Sequence, residues 1–321
     1  MKELQLFIET RYWRLLFFSF LAAFTMGCEK EEVETTGLDV ANASVKALNT
    51  VKITSTGMNF IAPEEIPSGW NTFSYLNKTG EPHFFILVKI PEDKTLEEYH
   101  EEVTVPFNNW LKTWREGAPV QDPGIALWFF TDAVNTGGSG LIDAGETAVT
   151  SINLQPGNYI IECYVKLPNG DFHSVVGMLD QIRVTEEGSK VKEPKSDVSL
   201  IIDGNGMTME GEVKRPGLHT FSVDFIPGSA ADVHLVRIED PEGADRNQLN
   251  DWMYWANIIG YEKEGLMTPA PAGFSFLGGS QELAQGGRTY FQAVLKPGTY
   301  ALISEVADPM SSGHYVEFEV E

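Results

Sequence analysis

Four residues of this 321-residue chain carry donor atoms in a pattern that could hold a metal: His83, Cys163, His173 and Met178. Cys163 closes the run Leu154-Gln-Pro-Gly-Asn-Tyr-Ile-Ile-Glu-Cys163. Nine residues then separate it from His173, and four separate His173 from Met178. His83 stands about eighty residues upstream, in Asn77-Lys-Thr-Gly-Glu-Pro-His83. A soft thiolate and two imidazoles suit copper in a near-trigonal plane, and a thioether adds a weak axial bond. An ion so held would exchange single electrons.

Each of these residues also has a plainer use. A histidine on a strand can be an ordinary hydrogen-bonded sheet residue, and a lone cysteine or methionine is often a core hydrophobe. Their order along the chain, and the elements around them, give the pattern its meaning. Segments such as Phe84 to Ile90, Tyr159 to Val165 and Tyr315 to Val320 are short and rich in β-branched and aromatic residues. They are bounded by Pro, Gly or Asn and read as strands. The Pro-Gly pairs mark tight turns that open the next strand.

An internal repeat runs through the chain. Gly137-Gly138-Ser139 and Leu154-x-Pro156-Gly157-x-Tyr159 recur 141 positions later as Gly278-Gly279-Ser280 and Leu295-x-Pro297-Gly298-x-Tyr300. Phe107-Asn108-Asn109-Trp110 matches Leu249-Asn250-Asp251-Trp252. The charged stretch Thr185 to Ser196 predicts the boundary between two halves. Helix-like spacing over Thr95–Trp114 and Asp245–Ile259 predicts one helical insert in each half. The expected architecture is all-β, with two tandem Greek-key β-sandwiches at 46–186 and 195–321.

The ligand order, the Leu-x-Pro-Gly-x-Tyr-x-x-x-Cys strand and the Gly177-Met178 start of a last strand together resemble the cupredoxins, the blue type 1 copper fold. The resemblance covers the first half. It implies two tandem cupredoxin-like domains. The first would bind one copper through His83, Cys163, His173 and Met178, for one-electron transfer or copper handling. In the second half Ser304 takes the place of Cys163, and His234 is expected to match His83. His314 falls where Met178 stands, after a deletion that removes the loop histidine. That half is expected to be a degenerate, structural or interaction domain, with a His234/His314 site for another divalent ion as the minor reading. The chain has no paired His-x-His of the multicopper oxidases. Glu162 stands where copper nitrite reductases carry a histidine. The expectation is therefore an electron carrier or binding protein rather than an enzyme.

At the N-terminus, Arg11 and Arg14 precede an apolar run over 15–24, too short to span a bilayer, that leads to Thr25-Met26-Gly27-Cys28. This resembles a bacterial lipobox, with 1–27 as signal peptide, Cys28 as the lipidated residue and 28–45 as a flexible tether. Glu29-Lys30-Glu31-Glu32 is similar to the export signal of Bacteroidetes surface lipoproteins. The resemblance implies an exported lipoprotein at the outer membrane, with the membrane contacted through the lipid. With Cys28 lipidated, Cys163 has no partner for a disulfide, and a buried or metal-bound thiol is expected. The net charge of -23 and pI near 4.6 exclude nucleic acid as the main partner. A redox or copper-donor protein is the expected partner. The competing expectation is a metal-free surface module that binds glycan or protein, with Trp110, Trp114, Trp252 and Trp255 as core, lid or stacking residues.

Overall fold

The computed structural model describes residues 50–118 and 122–321. The leader, Cys28 and the tether lie outside the described residues. The first half contains β1 (Thr50–Thr56), β2 (Asn59–Ile61), β3 (Glu65–Asn77), β4 (His83–Ile90), β5 (Val134–Ile142), β6 (Thr147–Leu154), β7 (Gly157–Glu162) and β8 (Leu179–Gly188). The second contains β9 (Val198–Asp203), β10 (Gly206–Glu210), β11 (Gly217–Phe225), β12 (Val233–Ile238), β13 (Phe274–Ser280), β14 (Gly287–Leu295), β15 (Gly298–Ile303) and β16 (Tyr315–Val320). The protein is all-β, as its alternating and β-branched segments require.

Two runs of strands pass through both halves and join where β3 pairs with β8. In one, β10, β9, β11 and β14 continue into β6, β3 and β1. In the other, β16, β15, β12 and β13 continue into β5, β4, β7 and β8. The junctions are antiparallel: Phe291 pairs with Thr150, and Ser280 with Ser139. Small residues make this approach possible. A Cβ on Gly140 would lie 2.5 Å from the Gly278 carbonyl oxygen, so only glycine fits. In the repeated Gly-Gly-Ser the second glycine serves within its own half: a Cβ on Gly138 would lie 2.0 Å from the Phe85 carbonyl oxygen, and one on Gly279 2.0 Å from that of Val233.

The repeated Leu-x-Pro-Gly-x-Tyr has a local explanation. The Tyr159 hydroxyl donates to the Gln155 carbonyl at 2.6 Å, and the Tyr300 hydroxyl to that of Lys296 at 2.8 Å. Each tyrosine ties its own turn back to the strand it opens, as in the tyrosine corner of other Greek-key sandwiches.

The inserts are helical, with shifted ends. The first runs as α1 (Leu96–Tyr99), one π-helical turn (His100–Thr104) and α2 (Val105–Arg115). Thr95 and Glu98 form a reciprocal capping box at its start. A further short helix, α3 (Leu127–Thr131), was not expected. In the second half α4 (Arg246–Met253) begins at the Asp245 cap but stops well short of Ile259. No helix among the described residues is long and apolar enough to cross a membrane.

Candidate metal centre

His83 opens β4, and the preceding turn is held by Asn77. Its side chain accepts from the Thr79 N–H and hydroxyl, and donates to the carbonyls of Glu81 and Ile142. Cys163 follows the last residue of β7. His173 begins a short 3-10 turn (His173–Val176), and its N–H donates to the Val165 carbonyl at 2.8 Å. Gly177 then reverses the chain at φ +132°. A Cβ there would lie 2.6 Å from the Met58 carbonyl oxygen. Met178 is fully buried. Its N–H donates to the His173 carbonyl at 2.9 Å and its carbonyl accepts from the Cys163 N–H at 3.2 Å.

The fold therefore brings His83, Cys163 and His173 together, all buried at 0% exposure. Cys163 Sγ lies 3.7 Å from His83 Nδ1 and 3.8 Å from His173 Nδ1, and the two Nδ1 atoms are 3.0 Å apart. A point equidistant from three atoms so spaced is about 2 Å from each. Roughly 2.0–2.1 Å and 2.3 Å are the distances that imidazole nitrogen and thiolate sulfur keep from a first-row divalent ion. The donor set and its spacing fit a small metal ion, and Met178 is tied to Cys163 and His173 through its backbone.

Without a metal these groups are electrically neutral. Burial pushes the Cys163 thiol up to about 12, against the opposing pull of the Phe84 and Val165 backbone N–H groups. Burial lowers His83 to about 4; burial, then the neighbouring His83, lowers His173 to about 3. Their outward Nε2 atoms have no hydrogen-bond partner among the described residues, and His173 Nε2 stands 3.8 Å from Glu81 Oε1. Neither imidazole carries a positive charge that would repel a metal at neutral pH, and the one N–H proton of each can sit on Nε2.

The loop between Cys163 and His173 is gripped from two directions. On the α2 side, Asn108 accepts from the Phe172 N–H at 2.9 Å and donates to Asp171 at 3.0 Å. From the second half, Lys166 and Leu266 pair through their backbones, as do Thr268 and Lys166. The fully buried Lys166 ammonium donates to the carbonyls of Trp255 and Gly265. Burial lowers Lys166 to about 8, with Glu264 pulling the other way. The sequence reading did not single out Lys166; its only signal was a charge inside an apolar strand-and-loop segment.

In the second half, Ser304 does occupy the place of Cys163. Its N–H donates to the His314 carbonyl at 3.2 Å, reproducing the Cys163–Met178 bond. The expected match of His234 with His83 is corrected by the strand register. Ile86 pairs with Glu162 and Gly138; His234 pairs with Ile303 and Gly279, which stand 141 positions further on. His234 therefore takes the place of Ile86, and Ala231 that of His83.

Nor does His234 meet His314, whose ring contacts Ser312 and the Asp203 carbonyl. His234 instead lies in a buried trio, with Nε2 3.0 Å from both Asp232 Oδ2 and Glu305 Oε1. Burial lowers the imidazole while Asp232 and Glu305 raise it, and the balance is upward. However, the Leu141 N–H donates to Nδ1 at 2.9 Å, so that nitrogen has no room for a proton. The ring is a neutral Nε2–H donor. The surplus charge is relieved at Glu305, which burial, then Asp232, push up to about 7. His234 thus links the two carboxyl groups of the second half to the Leu141 N–H of the first.

The four tryptophans serve packing. Trp252 is buried and donates to the Met267 carbonyl at 2.7 Å. Trp255 packs on Phe107, Tyr164 and Phe172, and Trp110 stacks on Trp114.

No protein-family model matches the sequence, and no curated relative matches it. Among solved structures, auracyanin A, a "blue" copper protein from Chloroflexus aurantiacus, is 20% identical. The alignment covers 42% of this chain and 98% of that one, with a TM-score of 0.26. The copper-containing nitrite reductase of Thermus scotoductus SA-01 is 14% identical over 85% of this chain and 61% of that one, at 0.21. A laccase from Pediococcus acidilactici Pa5930 is 10% identical over 87% and 63%, at 0.22. At these scores, the functional reading rests on the residues and strand order of this chain.

Proposed function

We propose that the first half is a cupredoxin-like domain that would hold one copper ion through His83, Cys163 and His173, with the Met178 thioether as a further donor. The role is one-electron transfer or copper handling. Lipidation at Cys28 would place the protein at the outer membrane. The observation that carries this reading is the triangle of three fully buried donor atoms, Cys163 Sγ and two Nδ1 atoms, with edges of 3.0, 3.7 and 3.8 Å.

When bound, copper would supply a one-electron couple. The chain's own residues supply rigidity. Asn77 fixes the turn before His83, while Asn108 and Lys166 fix the loop before His173. The Phe84 and Val165 N–H groups favour the thiolate form of Cys163. Ligands held by strands and pinned loops move little, which suits fast electron exchange. The two-half chain would serve as a carrier, with the second half as scaffold.

The test is to add Cu(II) to residues 29–321 and record the visible spectrum with metal quantitation. One copper per chain with an intense thiolate-to-copper charge-transfer band supports the reading, and Cys163→Ser should abolish the band while the fold survives. Absence of tight copper would overturn it and leave the metal-free surface module.

A further inference from the structure

A cavity of about 320 Å³ lies between the two halves, next to the Cys163 strand. Tyr99, Phe107, Phe129, Tyr164, Phe172 and Trp255 form its aromatic walls. Two carboxyl groups join them: Glu162 from the end of β7 and Glu282 just after β13. Glu162 accepts from the Tyr99 hydroxyl at 2.7 Å, and Glu282 from the Asn135 amide at 2.9 Å. Neither makes an ion pair among the described residues, and no lysine, arginine or histidine lines the space. Thr104 also faces the cavity. It is 1% exposed, and its hydroxyl has no hydrogen-bond partner among the described residues.

Burying a carboxylate without a counter-ion is unfavourable, and two in one cavity more so. A cation in the cavity would relieve this strain. Aromatic faces attract cations through their quadrupole, most strongly where water is excluded. They also disfavour a hydrated metal ion, which needs several oxygen ligands. The volume lies within the range of small-molecule sites, and Thr104 offers an unused hydrogen-bonding group.

We propose that this cavity binds a small organic ammonium ion, with its charge between Glu162 and Glu282 and its apolar part against the aromatic walls. The site is independent of whether Cys163 holds a metal. Both halves contribute to it, since Trp255, Ala230 and Glu282 belong to the second.

The experiment uses residues 29–321 without added copper. Phenethylamine, cationic at pH 7, is titrated against its neutral counterpart 2-phenylethanol, followed by calorimetry and by tryptophan fluorescence, because Trp255 lines the cavity. The amine should bind about tenfold or more tightly than the alcohol. Glu282→Gln should remove that preference. Its side chain is partly exposed and the amide oxygen can still accept from Asn135, so the fold should be kept. Glu162→Gln should weaken the amine in the same sense. Equal affinity for amine and alcohol, no binding of either, or an unchanged preference in Glu282→Gln would overturn the proposal.

Discussion

Lys166 Nζ lies 2.6 Å from the carbonyl oxygen of Gly265, so a fully buried ammonium on the loop between Cys163 and His173 is held by backbone from the other half of the molecule. Replacing it with Met leaves the Trp255 and Gly265 carbonyls without their donor. Hydrogen bonds to charged groups contribute about 1.5–3 kcal/mol, and Lys166→Met should lose stability on that order in urea unfolding. It should also loosen the loop, seen as faster copper release to a chelator. Unchanged release would mean that Asn108 alone positions His173.

The register of β12 leads to a sharp expectation. Ser304→Cys restores a thiol where Cys163 stands in the first half, yet Ala231 replaces the strand histidine and the loop histidine is deleted. This variant should take up no second copper by metal analysis. A second equivalent with thiolate-to-copper absorption would show that the register assigned here is wrong.

Binding a metal at Cys163 must expel a proton, because burial holds the thiol up to about 12. His83 and His173, lowered to about 4 and about 3, have none to give at neutral pH. Apparent affinity should therefore climb about tenfold for each pH unit between about 5 and 9, measured by competition with a chelator of known protonation. A flat profile would argue against thiolate ligation.

The same imidazoles predict how the metal-free protein responds to acid. Both folded-state values are depressed below the unfolded 6.5, so the unfolded chain binds protons first as pH falls. The stability these groups provide is complete above about 6.5. It drains away as pH drops through 4, by ~3 kcal/mol for His83 alone at 1.36 kcal/mol per unit. His83→Gln should flatten that part of the stability–pH curve. An unaltered curve would locate the acid sensitivity elsewhere.

The tyrosine corners can be tested one at a time. Tyr159→Phe removes one hydroxyl-to-carbonyl bond and should cost about 1 kcal/mol in chemical denaturation, while Tyr300→Phe also removes the acceptor of the Lys296 N–H and should cost more. Tyr300 also lies under Arg237, 5.7 Å from its ring centroid, so its substitution tests the hydroxyl with that contact kept.

The clustering of His83, Cys163 and His173 was legible because their chemistry is rare and their order follows the strands. The all-β reading came from alternation and from Pro-Gly turns, which act locally. What escaped was non-local. The His234 register depends on which strands flank β12, and a histidine in a strand looks the same three places either way. Lys166 was missed because its partners, Trp255 and Gly265, are carbonyls about ninety residues away, and carbonyls leave no mark in a sequence. The Asp245 cap located the start of α4, but the backbone turns extended at Tyr254, with ψ 103°, before the apolar spacing ends.

The strands β5 and β6 are interior only because β13 and β14 lie against them. Cutting the chain at 189–197 would strip both, leaving two bare rows of amides and carbonyls. Such edges recruit other chains and seed aggregation. The half that lacks the buried cysteine thus acts as a permanent guard for the half that carries Cys163. That first half, isolated by truncation, would be expected to precipitate.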